Sequence, residues 1–347
     1  MPKLNHTFRL LMFTTFIWSG HVAAQSSDST RRIKKVYCNC NINGLPRPKG
    51  FTMRYELRPS YGINTTDKTG AFGNSSNSIR SNGRFEIKAK VPIINKPFLS
   101  IVGGFRYYKE QYKFKELGVS PNPFYKSFED RSLKSIGANL IVIIPMRSNK
   151  YWVLRTAANF NGDYNDAPIS KTNYLKFSIS PALGWKKNDD LTYAIGMTYS
   201  YNFGQPLVFP TFAINYNLDK RWSLESVLPI FAKFRYGINE NFYWYNGIEL
   251  DGAAYRLDNT EASLSGFQSL HLHRSELRLT SSLEKQLKGW IWAGLEVGAA
   301  HNLRYNLTNS ASGRTDIIFR NKLKDGFLVN FSLFLIPPKE LYRRFAD

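Results

Sequence analysis

The chain has 347 residues, with 47 lysines and arginines against 26 aspartates and glutamates, a formal charge of +21, 43% hydrophobic residues and 15% aromatic ones. Charged or polar residues interrupt every apolar run from Gln25 to Asp347, so no segment there offers the roughly 20 apolar residues of a membrane helix. The two cysteines, Cys38 and Cys40, are too few for a closed zinc site and, at i and i+2, badly placed for a mutual disulfide; no Leu-x-x-Cys precedes Cys38 to carry a lipid anchor.

The first stretch, MPKLNHTFRLLMFTTFIWSGHVAAQ, has Lys3 and Arg9 without an acid, an apolar run from Leu10 to Trp18, and the small-residue exit Val22-Ala23-Ala24. This is the pattern of a secretory signal peptide over residues 1–24. Loss of Lys3 and Arg9 leaves +19. An exported basic chain meets anionic lipid, lipopolysaccharide and small solutes rather than nucleic acid, and no nucleic-acid module is present. Residues 25–50 read as a periplasmic segment.

From Phe51 onward come alternating segments of about the 9 to 11 residues that a tilted membrane strand requires. They begin at Phe51, Arg84, Phe98, Leu133, Tyr151, Tyr174, Leu191, Leu207, Arg221, Phe242, His271, Gly289 and Phe327. In LTYAIGMTYSYNF, from Leu191, the face carrying Tyr193, Ile195, Met197 and Tyr199 is expected to meet lipid, leaving Thr192, Ala194, Gly196, Thr198 and Ser200 for the lumen. The connections alternate. Long ones (to Asn82, Lys109 to Arg131, Asn161 to Thr172) interleave with short turns (Asn95-Lys96-Pro97, Ser148-Asn149-Lys150, near Asp189).

Thirteen segments would break the even-number rule of bacterial barrels, and the alternation fails where short Leu218-Asp219-Lys220 is followed by short Asn239-Glu240-Asn241. Splitting RWSLESVLPIFAKFRYGI at Leu228-Pro229 restores both, because proline cannot donate to the ladder and sits at strand ends. The expectation is all-β: a transmembrane antiparallel up-and-down β-barrel of fourteen strands, with twelve as the fallback, over residues 51–336 in the cell outer membrane. Residues 337–347 would be a periplasmic tail. Trp152, Trp185, Trp222, Tyr243, Trp244, Tyr245, Trp290 and Trp292 fall near segment ends, as headgroup-level rings do.

The passage LPIFAKFRY from Leu228, followed by NENFYWYNGIELDGAAYRL from Asn239, resembles an outer-membrane β-barrel family of unknown function found in Bacteroidetes and related bacteria. The resemblance covers most of the exported chain and implies a location and a fold, with no assigned activity. The tail PPKELYRRFAD after Leu335 departs from the common ending on an aromatic of the last strand.

With outward faces assigned by apolarity, the inward cations are Arg54, Arg58, Arg84, Lys88, Lys90, Arg106, Arg155, Lys176, Lys233, Arg235, Arg274 and Arg278. The inward anions are Glu56, Glu86, Glu225, Glu249, Asp251, Glu276 and Glu296. A lumen so lined favours small anionic or neutral solutes. The facing triplets Arg54-x-Glu56-x-Arg58 and Arg84-x-Glu86-x-Lys88 would equally form a cross-strand ladder that fills and stiffens it. His271, His273 and Ser275 share one strand face; two histidines are short of a zinc set, so no metal or cofactor is expected. In spacing His273-x-Ser275 is similar to the outer-membrane phospholipases, but no aligned asparagine among Asn259, Asn302 and Asn306 is fixed by sequence. The reading is therefore a non-enzymatic passive pore, with a sealed barrel binding a partner through its long loops, or a lipid-acting enzyme, as alternatives.

Overall fold

The computed structural model describes residues 38, 48–115, 122–146, 148–164, 172–258, 261–311 and 314–337; the expected signal peptide, most of the 25–50 segment with Cys40, Asn259, and the tail after Pro337 lie outside them. Period-two alternation becomes sixteen strand segments. These are β1 (Phe51–Arg58), β2 (Tyr61–Asp67), β3 (Ser75–Lys96), β4 (Leu99–Phe114), β5 (Ser132–Pro145), β6 (Lys150–Gly162), β7 (Leu175–Lys186) and β8 (Leu191–Ser200). There follow β9 (Leu207–Asn217), β10 (Trp222–Leu228), β11 (Phe231–Asn239), β12 (Phe242–Leu257), β13 (Leu270–Lys288), β14 (Ile291–Ala311), β15 (Arg314–Leu323) and β16 (Gly326–Leu335). One short helix, α1 (Pro123–Phe128), lies between β4 and β5.

From β2 to β15 successive segments pair antiparallel, and the seam closes where β1 pairs β3 on one side and β16 on the other. β1 and β2 both pair β3, so they are two halves of one strand interrupted at Pro59, which has no N–H for the ladder. β15 and β16 both pair β14 and are likewise one strand, interrupted at Lys324-Asp325. Counted this way the chain is a closed, fourteen-stranded antiparallel barrel. The split at Leu228-Pro229 is present, with β10 and β11 as separate strands. Two stretches differ from the sequence reading: the polar run to Asn82 is mostly strand, and residues 314–323 are a strand half. Both are rich in Asn, Ser, Thr and charge, so they carry no apolar alternation; their pairing to neighbours holds them.

The outer surface is apolar. Ile195, Met197, Val208, Leu279, Val297, Phe327 and Phe331 are all exposed, whereas Thr192, Ala194, Thr198 and Ser200 are buried on the opposite face of β8. That inversion of the soluble pattern makes the barrel a membrane-spanning one. Trp152, Trp222, Trp244 and Trp290 stand exposed on the outside. Trp292 does not: it is buried, stacked on Tyr243 and Phe334 inside the short-turn end of the barrel.

The long-loop end holds a hydrophobic core. α1 folds into it, begun by Pro123 at its first turn and by the Asn122 side chain accepting the Phe124 N–H at 2.9 Å. Phe124 is fully buried, 4.7 Å from Phe128, 5.9 Å from Phe319 and 6.1 Å from Tyr305 between ring centroids. Ile63, Ile79, Leu133, Leu264 and Leu272 belong to the same cluster, with further aromatic and aliphatic neighbours.

Asp67, at the loop end of β2 beyond the apolar belt, accepts the N–H groups of Thr69 (2.7 Å), Phe72 (2.7 Å) and Gly73 (3.0 Å). Slight burial pushes its carboxyl up, but these donors outweigh it and hold the pKa down to about 2. The folded value lies below the ordinary 3.8, so its support of the loop is full above 3.8 and is lost as pH falls through about 2. Asp67→Ala is expected to open the Lys68–Asn74 loop at neutral pH as acid opens it in the parent chain. Limited proteolysis with an acid-active and a neutral protease reads both; equal cleavage of the two chains at neutral pH would refute the assignment.

Candidate functional site

Alternation puts Glu56 and Arg58 on the inner face of β1, Arg84 and Glu86 on β3, Glu110 on β4, Asp251 on β12, and Arg274, Glu276 and Arg278 on β13. Beneath the aromatic cluster four of these arginines and four of these carboxylates meet. Glu276 accepts from Arg58 (2.6 and 2.7 Å), Arg84 (2.7 Å) and Arg278 (2.8 Å). Glu56 accepts from Arg58 (2.7 Å) and pairs with Arg84 (3.3 Å) and Arg278 (3.2 Å). Glu110, fully buried, takes Arg84 (2.8 Å), Arg274 (3.1 Å) and the Tyr112 hydroxyl (2.6 Å). Asp251 takes Arg274 (2.9 Å) and Arg278 (3.2 Å). Burial of so many charges is tolerable only because every one has opposite charge and directed hydrogen bonds around it.

The facing triplets are adjacent, with Glu56 opposite Arg84 and Arg54 opposite Glu86. The pairs formed are not all the register partners. Arg54 reaches Glu296 on β14 at 2.5 Å, while Glu86 holds Lys88 (2.9 Å) and Arg106 (2.7 Å). Lys233 pairs with Glu249 at 3.4 Å. Arg235 is buried with its guanidinium over the Tyr243 ring.

The wall from β4 to β9 differs. A cavity of about 370 Å³ is lined there by Lys88, Lys90, Arg106, Arg155, Ser178 and Thr198, among other residues. Hydroxyls supply part of its polar lining: Ser180 and Thr198 are 2.6 Å apart, and Thr198 donates to Thr211 at 3.3 Å. Among the described residues no ion pair engages Lys90, Arg155 or Lys176; Glu225 is the carboxylate whose field reaches Lys90 and Arg155. Lys176 sits over the Tyr201 ring.

His271, His273 and Ser275 lie on the outer face of β13, alternating with inward Leu272, Arg274 and Glu276. They are covered. β10 and β11 are short, and β11 pairs β12 only as far as Glu249, leaving the upper half of β12 without that neighbour. Gly162 at the end of β6 bridges to Arg256 instead, and the β8–β9 loop, residues 201–206, crosses the outer face of β12 and β13. Ser275 donates to the Asn202 carbonyl at 3.2 Å and the His273 ring nitrogen meets the Gly204 carbonyl. Gly204 has a positive φ of 74°, and a Cβ there would collide with the Arg274 backbone.

Register does align one of the three asparagines: Asn306 stands opposite His273. Even so, the hydrogen bonds of His273 and Ser275 run to the loop, and Ser275 is buried beneath it, which is not the arrangement of a base beside an accessible nucleophile. Among the described residues no group of His, Cys, Asp and Glu could hold a metal ion. Ser275→Ala is expected to cost about 1 kcal/mol of stability and to leave phospholipid turnover by the folded barrel unchanged. Turnover that vanishes with the substitution would restore the lipid-acting reading.

Residues 122–307 match a sequence family described as a domain of unknown function (DUF6268). No curated protein sequence matches the chain. Similar solved structures include the NanC porin (TM-score 0.33, 9% identity, 81% of this chain and 98% of that one). An outer membrane channel from Pseudomonas putida F1 (0.37, 8%, 84% and 98%) and outer membrane phospholipase A from Escherichia coli (0.33, 6%, 81% and 90%) are others. With scores this low, the assignment of the fold rests on the strand pairing itself.

Proposed function

The chain belongs to this domain family of unknown function (DUF6268), whose description brings no activity with it, and we propose from the interior itself that the protein is an outer-membrane channel for small anionic or neutral solutes. The observation that carries the reading is the cavity that brings Lys88, Lys90, Arg106 and Arg155 together with the hydroxyls of Ser178, Ser180 and Thr198, with Lys176 lining the neighbouring cavity. Cations with few carboxylates around them raise the local concentration of anions, and hydroxyls replace part of a solute's hydration at little cost. The residues proposed to line the route are Arg54, Glu56, Arg58, Arg84, Glu86, Lys88, Arg155, Lys233, Arg235, Arg274 and Glu276. The balanced cluster around Glu276 is a fixed wall, and Lys88 and Arg155, together with Lys90, Arg106 and Lys176, give the sign of selectivity.

The test is conductance of the refolded protein in a planar bilayer under a salt gradient. Steps with a reversal potential of anion sign are expected, and Lys90→Gln with Arg155→Gln and Lys176→Gln should move that potential toward zero. A cation-signed potential in the parent chain would overturn the reading.

A second reading, a sealed barrel that binds a surface partner through its long loops, is favoured by one feature: α1 and its aromatic neighbours fill the long-loop end. It predicts a silent bilayer and a loss of partner binding when the stretch from Lys109 to Arg131 is shortened.

A further inference from the structure

The ladder between β14 and the strand formed by β15 and β16 has a gap. β14 pairs β16 up to Ala300 with Gly326, and pairs β15 from Asn306 with Arg320 onward; residues 301–305 and 321–325 in between make no such pairs. A register shift at Ser275/Glu276 on the β13 side, and another at Leu307/Thr308, re-aim the outer side chains around it. The result is a cleft of about 930 Å³ in the outer wall, lined by Arg304, Arg320, Lys322, His301, Asn306 and Gln205, among others.

Its charge is one-sided. Arg320 and Lys322 share a strand face and are both exposed. Asn306 pairs with Arg320, so Arg304 and Lys322, two residues down on each strand, come to the same level on adjacent strands. Like charges in that relation repel. The nearby carboxylate, Asp325, is engaged by the His301 ring at 2.7 Å, and Arg304 donates to the Gln205 side chain. Among the described residues no ion pair engages Arg304, Arg320 or Lys322.

Its height is equally specific. The outward apolar residues Leu277 and Leu279 on β13, Val297 on β14, and Phe327 and Phe331 on β16 end just below it, and Leu303 enters its lining. A cationic cleft directly above an apolar belt, on the long-loop side, lies where lipid headgroups lie.

We infer that this cleft binds the phosphate group of a membrane lipid headgroup, held by Arg304, Arg320 and Lys322, with Asn306 and Gln205 as neutral hydrogen-bonding neighbours. Arginine suits the task because its fork of donors matches phosphate oxygens two at a time. The inference rests on the membrane-barrel reading, which is checked separately by insertion of the barrel into neutral vesicles and by its heat-dependent gel shift.

The experiment compares the folded barrel in phosphatidylcholine vesicles, in the same vesicles containing phosphatidic acid, and in neutral vesicles with inorganic phosphate. The readout is the temperature at which the folded gel band is lost. Phosphatidic acid is expected to raise it, inorganic phosphate at equal concentration to do so far less, and Arg304→Gln with Arg320→Gln and Lys322→Gln to abolish the rise. Lys322→Gln alone, at an exposed position that leaves folding intact, should weaken the lipid effect on the order of tenfold in apparent affinity. An equal rise in the parent and substituted barrels would overturn the inference. So would an equal effect of inorganic phosphate, which would make the cleft a site for the free anion.

Discussion

Glu276→Gln is expected to destabilise the barrel by about 3–5 kcal/mol, the range for removing one partner from a buried ion cluster. The substitution keeps the shape of the side chain and leaves Arg58, Arg84 and Arg278, each at most 8% exposed, around a neutral amide. Their mutual repulsion, formerly cancelled by Glu276, then acts in a medium that screens it poorly. Urea unfolding in detergent, followed by loss of the heat-shifted band, measures the change. A loss under about 1 kcal/mol, the size of an exposed pair, would mean that water reaches the cluster and that the lumen is open at that level.

Replacing Phe124 and Phe128 of α1 by serine is expected to turn a barrel that opens briefly into one that conducts for longer or more fully. Each ring is fully buried against the wall, and large-to-small changes at such positions cost about 3–5 kcal/mol. Most of that cost falls on the seat of the loop, because the rings belong to the connection between β4 and β5 and contribute no ladder hydrogen bond. The loop should therefore leave while the wall stays. Single-channel recording should show longer or larger openings than the parent, with anion preference; the same silence in both chains would favour the sealed-barrel reading.

Much of the barrel was legible because period two is legible. Ile195 and Met197 against Thr198 and Ser200 state which face meets lipid, and Pro229 announces the hairpin between β10 and β11. What the sequence hid was pairing without apolar alternation. β2, with its YGINTTD, and β15, with RTDIIFRNKL, read as loop because both stand beyond the apolar belt, where no solvent demands a greasy face. The inward charges could be placed on their strands, yet their partners could not. Arg54 faces Glu86 in register but bonds Glu296 across the seam, because a long side chain chooses among carboxylates on several strands. The covering of Ser275 was equally hidden: it follows from the shortness of β10 and β11 and the crossing of a loop far away in the chain.

The ion cluster has a consequence for how the barrel finds its own closure. Arg54, Glu56 and Arg58 belong to the first strand, and they bond Glu296 on β14 and Glu276 and Arg278 on β13, straddling β16. A slip of the first strand by two residues would keep Phe51, Met53, Tyr55 and Leu57 on lipid, yet it would take Arg54, Glu56 and Arg58 away from Glu296, Arg278 and Glu276. Apolar side chains alone, being interchangeable in lipid, could not tell the right alignment of the two ends from its neighbours. The buried charges act as a registration mark, legible to the chain only when its ends are joined in one alignment.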